Sequence, residues 1–184
     1  ELRRLQLHRY MHKLARHGDI KHIRAVLEIS HFKVDDLNWS DKKGRTPLSY
    51  ACEYGMTECV AMLINSGAAY EVSDINEMSP LHYAAKADKP ALINTILSHP
   101  NVNRKAILDK PDKTMRTPLH VAAFQKNEEV VKALVDFGAD VHKEDLYGNR
   151  ASMLASKRHR RSSQDVLQAA ELAKALNIQD TAHS

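Results

Sequence analysis

Thr117-Pro118-Leu119-His120-Val121-Ala122 decides how this chain is read, because it recurs. Ser79-Pro80-Leu81-His82-Tyr83-Ala84 differs from it chiefly by Ser for Thr. Thr46-Pro47-Leu48-Ser49-Tyr50-Ala51 and Arg150-Ala151-Ser152-Met153-Leu154-Ala155 follow the same order more loosely. The starting residues Thr46, Ser79, Thr117 and Arg150 are 33, 38 and 33 positions apart. Further down the unit, Leu63-Ile64-Asn65-Ser66-Gly67-Ala68 matches Leu134-Val135-Asp136-Phe137-Gly138-Ala139. Self-similarity at such a period marks a chain of stacked supersecondary units.

The repeated residues carry their own physical meaning. Thr46, Ser79 and Thr117 can cap a helix, since a side-chain oxygen accepts a free N–H of the first turn. Proline follows at the first helical position, where its missing N–H removes no bond. Ala51-Cys52, Ala84-Ala85 and Ala122-Ala123 put small residues where neighbouring helices must approach closely. Gly67 and Gly138 follow apolar runs and suit the left-handed cap that ends a second helix. Asp41, Asp74, Asp112 and Asp145 stand five positions before each start and suit a turn.

These segments resemble the ankyrin repeat, a unit of about 33 residues made of a β-turn and two antiparallel helices with a T-P-L-H-x-A signature. The resemblance covers nearly the whole chain. It implies an all-α ankyrin-repeat solenoid of helix-turn-helix units with β-turn or hairpin fingers. The units fall at about 1–36, 37–69, 70–107, 108–140 and 141–176, the first and last as caps, with 177–184 a loose tail. Arg9-Tyr10-Met11-His12-Lys13-Leu14-Ala15 occupies the signature in the first unit, and Leu2, Leu5 and Leu7 add apolar contacts upstream. Lost consensus is expected at an end, where one face meets solvent. In the last unit Ser162 or Ser163 can cap a closing helix from about Gln164 to Leu176, with Val166, Leu167, Ala170 and Leu172 on or near its inner side. Insertions within 30–36 and 99–107 should form longer surface loops. Trp39 is expected to pack beside the first of them.

No catalytic constellation stands out, and no phosphate-cradling glycine motif or zinc-protease helix is present. No enzyme activity is expected of this segment. His8 and His12 are four residues apart, but a pair falls short of the four ligands of a structural zinc site, so neither a metal nor a cofactor is expected. The resemblance gives His82 and His120 a structural role, hydrogen-bonding between adjacent turns. Cys52 and Cys59 read as small apolar core residues. With only two cysteines, no apolar run approaching the ~18 residues of a membrane span and no secretory signal in view, a cytoplasmic or nuclear setting is expected.

The resemblance also implies where a partner binds, on the concave side formed by turns and first helices. The turn positions are Lys42, Lys43 and Arg45; Met78 with Ile75; Lys113 and Arg116; and Tyr147 and Asn149 with Leu146. The first helices add Tyr54, Lys86, Phe124 and Gln125. Tyr54, Met78, Phe124 and Tyr147 are expected outside the core. Exposed aromatic and apolar groups among Lys and Arg suit a protein partner with an apolar anchor and an acidic surround. The domain is expected to act as a monomer. A net charge of +4 hides a basic run at Lys157, Arg158, Arg160 and Arg161, which suits a solvated face, a docking signal, or contact with nucleic acid or anionic membrane. A second reading makes this segment the regulatory or targeting part of a larger enzyme, channel, lipid-transfer protein or effector.

Overall fold

The computed structural model describes residues 2–28, 33–125, 127–157 and 163–172, and its regular elements there are all helices. The first six are α1 (Leu2–His17), α2 (Ile20–Leu27), α3 (Val34–Leu37), α4 (Pro47–Glu53), α5 (Thr57–Asn65) and α6 (Pro80–Lys86). The next five are α7 (Pro90–Leu97), α8 (Arg104–Ile107), α9 (Pro118–Phe124), α10 (Glu128–Asp136) and α11 (Ala151–Lys157), and α12 covers 163–172.

The helices form two rows. α1, α4, α6, α9 and α11 pack side by side in chain order, and α2, α5, α7 and α10 form a parallel row behind them. The repeated sequence explains the first row. Thr46 Oγ1 accepts the N–H of Ser49 at 3.3 Å, which caps α4. Ser79 and Thr117 close capping boxes in which their own N–H groups donate to Nδ1 of His82 and His120, at 3.1 and 3.2 Å. Proline starts each of these helices. Ala51, Cys52, Ala84, Ala85, Ala122 and Ala123 are completely buried, so small side chains set the close approach within the row. Leu63, Leu92, Ile93, Val130 and Leu134 of the second row are also completely buried, making one continuous core.

The two insertions are not plain loops. α3 and α8 give each of them one helical turn. The turn satisfies backbone groups locally while Leu37 and Ile107 reach the core at no more than 1% exposure. α3 is held further by Asp36, whose carboxylate accepts the Lys33 N–H at 2.8 Å and a hydrogen bond from His8 Nε2 at 2.9 Å.

Trp39 lies beside the first insertion, its N–H donating to the Asp36 carbonyl at 3.4 Å, but its ring turns onto α1, stacked on His8 with centroids 4.8 Å apart and edge-on to His12 at 5.7 Å. Two other expectations, for Leu5 and Leu172, need correction. Leu5 does not join the core and stands 46% exposed, although Leu7 packs inward. In α12, Leu167 is buried and Val166 and Ala170 pack on the core, but Leu172 is exposed. Five residues separate Leu172 from Leu167, which at 3.6 residues per turn points it away from the buried face. The expected tail at 177–184 and the end of the closing helix lie outside the described residues.

Candidate functional site

Four turns precede α4, α6, α9 and α11, and all are built alike. In each, the recurring aspartate is the organiser. Asp41 Oδ1 accepts the N–H groups of Lys43 and Arg45 at 2.8 and 3.0 Å. Asp74 does the same for Asn76 and Met78, Asp112 for Thr114 and Arg116, and Asp145 for Tyr147 and Asn149, all between 2.7 and 3.0 Å. Each aspartate's own N–H then donates across the finger, to the carbonyl of Arg45, Met78, Arg116 or Asn149. Burial would raise the Asp145 carboxyl, but hydrogen bonds from the backbone and side-chain amide of Asn149, the Tyr147 N–H and Arg116 outweigh it and hold it down at about 2.

The fingers are tied to one another. The N–H of Ile75 donates to the Lys43 carbonyl, that of Lys113 to Asn76, and that of Leu146 to Thr114, at 2.9 to 3.0 Å. A second set of ties runs through imidazoles. His12, His82 and His120 each reach the carbonyl of the next finger, at Arg45, Arg116 and Asn149, with Nε2 2.9 to 3.1 Å from the oxygen. The fingers therefore form a braced row.

The fourth residue of each finger takes a left-handed conformation: Gly44, Glu77, Met115 and Gly148 have φ between 60° and 76°. A Cβ on Gly44 would lie 3.0 Å from the Ile75 backbone nitrogen, whereas one on Gly148 would meet nothing within 4 Å. Gly148→Ala is therefore expected to cost about 1 kcal/mol, the ordinary left-handed penalty. Gly44→Ala should cost measurably more, because it also forces the first two fingers apart. Equal shifts in urea unfolding would contradict this account of the row.

Along this row the fingertips alternate in character. Lys42, Lys43 and Lys113 are exposed cations, and Ile75, Met115, Leu146 and Tyr147 are exposed apolar groups, Tyr147 at 70%. Lys86 is exposed at the end of α6, and Gln125 is half-buried after α9. Tyr54 is exposed, with the Arg16 guanidinium 4.7 Å from its ring centre. Met78 departs from the expectation that it stands outside the core, and Phe124 is half-buried where an exposed ring is expected. Met78 packs on core residues, and Phe124 lies beneath the Arg116 guanidinium.

The arginines of the fingers are engaged within the domain. Arg45 bonds Glu53 at 3.1 Å, the Tyr50 hydroxyl, and Asp41 at 3.5 Å, and it lies over the Tyr50 ring. Tyr50 donates to Asp41 Oδ2 at 2.7 Å, and burial together with that bond pushes its phenol up to about 12. Arg116 pairs with the buried Asp145 at 3.3 Å. The Asn149 amide also donates to Asp145, at 3.0 Å. These three side chains brace the fingers that carry them. Arg158, Arg160 and Arg161 of the basic run lie outside the described residues, as does the Lys157 side chain at the end of α11.

Repeat alignment misses one feature. A groove of about 860 Å³ opens between the first half of α1 and the first finger. Leu5, Gln6, Arg9 and His12 line it from α1, and Trp39, Lys42, Lys43 and Tyr50 line it from the first finger and the residues that flank it. The signal for it lies one helical turn before Arg9, where Leu5 and His8 continue the face of α1 that carries Arg9 and His12.

Cys52 and Cys59 are both buried and free, and burial pushes the Cys59 thiol up to about 12, so they behave as core residues. Among the described residues no cluster of three or more His, Cys, Asp or Glu could hold a metal, and no helix is long and apolar enough to cross a membrane.

Comparison with known proteins bears on the same repeats. A family model described as ankyrin repeats (3 copies) matches residues 11–106, and a single ankyrin-repeat model matches 115–146. The chain is 32% identical over 127 residues to Alpha-latrotoxin-Lg1a of Latrodectus geometricus, covering 68% of this chain and 9% of that protein. It is 32% identical over 140 residues to the putative E3 ubiquitin-protein ligase XBAT31 of Arabidopsis thaliana, covering 72% of this chain and 30% of the relative. With inversin of Canis lupus familiaris it shares 29% over 113 residues, covering 61% and 10%. The chain thus spans less than a third of the length of each of these relatives.

Proposed function

Because this chain belongs to the ankyrin-repeat family, we propose that it is a non-catalytic module whose concave face, the fingers and first helices, docks a partner protein with an acidic surround and an apolar anchor. Ankyrin repeats are generally protein–protein interaction modules. The reading treats the domain as a monomer divided at 1–36, 37–69, 70–107, 108–140 and 141–176. One observation carries it: a hydrogen-bonded row of fingers presents Lys42, Lys43 and Lys113 in alternation with Ile75, Leu146 and Tyr147. A braced row loses little conformational freedom on binding, and solvent-exposed lysines beside apolar tips match a partner of opposite charge.

The test is capture of proteins by the immobilised domain, followed by titration of each captured protein in purified form. The triple variant Lys43→Glu, Lys113→Glu, Tyr147→Ala is expected to bind at least about ten-fold more weakly with an unchanged melting temperature, since all three side chains are exposed. Undiminished affinity would dismiss the fingertip face. A second reading rests on the small share of each relative that this chain spans. In it the module serves as the docking segment of a larger protein whose other parts hold any activity.

A further inference from the structure

We infer that the groove between α1 and the first finger is the anchor site of that face, and that it takes an acidic peptide segment through one large apolar side chain. The inference rests on the docking function proposed above and adds a location and a ligand chemistry to it. The aromatic part of the lining is prepared in advance. Trp39 is stacked on His8, which is itself buried and held by its bond to Asp36. The indole face is thus fixed before any ligand arrives, and Leu5 stands exposed across from it with no core to fill.

The charge of the rim selects the partner. Asp41, which lines the groove, and Glu53, which pairs with the lining residue Arg45, are already used. Asp41 accepts the two finger N–H groups and the Tyr50 hydroxyl, and Glu53 pairs with Arg45. Arg9, Lys42 and Lys43 line the same opening, and among the described residues none of them has an acidic partner within ion-pair distance. An apolar lining of Leu5 and Trp39 beside three such cations matches an aromatic or long aliphatic side chain flanked by Asp and Glu. A peptide fits better than an isolated small molecule because the opening is continuous with the row. Lys43 of the rim accepts the Ile75 N–H of the next finger, so a chain anchored on Trp39 can run on along the fingertips.

Trp39 is the only tryptophan in the chain, so its emission and its single indole N–H signal report on the groove directly. The probe is a short synthetic peptide of Asp and Glu around a central Phe, with two controls: central Ala, and Lys in place of the acids. A saturable emission change and a shifted indole signal are expected with the first peptide. Each control should bind at least about ten-fold more weakly, and added salt should weaken binding. Lys43→Glu and Leu5→Gln, both at exposed positions, should each weaken binding with an unchanged melting curve, which avoids relying on a Trp39 variant that could unfold α1. Equal binding of the central-Ala peptide overturns the proposal. Amide shifts confined to Ile75, Thr114 and Tyr147, with the indole signal still, also overturn it but leave fingertip docking standing. No shift anywhere overturns both. An emission change on dilution alone would give the groove to a second copy of the chain and likewise overturn the peptide assignment.

Discussion

Leu81→Ala is expected to lower the unfolding free energy by about 2–5 kcal/mol, the range for emptying a fully buried leucine site. Leu81 has no exposed surface and lies on α6, between α4 and α9 in the first row. In a stack of units each one touches only its neighbours, so a cavity in the middle weakens two interfaces at once. Leu167→Ala, in the final helix, also removes a fully buried leucine but damages only the end of the stack. Urea unfolding followed by helical circular dichroism and by Trp39 emission distinguishes the two. Leu81→Ala should shift both signals, because the second unit, which holds Trp39, loses the support of the third. Leu167→Ala should shift the helical signal more than Trp39. If Leu81→Ala left the Trp39 transition in place, the units would be uncoupled and the continuous core would not act as one.

How legible each feature is in the amino-acid sequence depends on how local it is. The capping Thr and Ser residues, the prolines and the turn aspartates act within a few positions of themselves, so their pattern in the chain is already their role. His82 and His120 are legible only through family resemblance, because each one's bond crosses to the following finger. The groove is legible only in the face of α1 that Leu5 continues ahead of Arg9. It needs α1 to run a full two turns ahead of Arg9, which consensus alignment ignores, and it needs α3 to turn Trp39 onto His8. The partial burial of Met78 and Phe124 escapes the sequence for a related reason. A repeat alignment gives the direction of a side chain, but not whether a neighbour such as Arg116 covers it.

Removing His82 should give the other large effect, and one that carries a pH signature. His82 is completely buried and joins two units. Its Nδ1 accepts the Ser79 N–H at 3.1 Å, and Nε2 donates to the Arg116 carbonyl at 2.9 Å. His82→Ala leaves that buried N–H without its acceptor and breaks the tie, at a cost of about 2–4 kcal/mol. Burial holds the His82 imidazole below its ordinary value of 6.5, more strongly than the Arg116 carbonyl raises it. His120 is lowered in the same way, by burial first and against the pull of the Asn149 carbonyl. Protonation would also occupy the Nδ1 lone pair that accepts the N–H of the capping residue. Below pH 6.5 the unfolded chain therefore binds more protons than the folded one, and stability falls as the pH is lowered toward the folded-state values. Above 6.5 their slope fades as the unfolded imidazoles also lose their protons. Each can add up to about 1.4 kcal/mol per pH unit within that window. Urea midpoints taken from pH 7.5 down to pH 5 should decline in the unmodified protein. His82→Ala starts lower and should decline less steeply, since only His120 remains of the pair. A variant with the same slope as the parent would mean that His82 is not held neutral, and that the tie between the second and third fingers does not depend on its protonation.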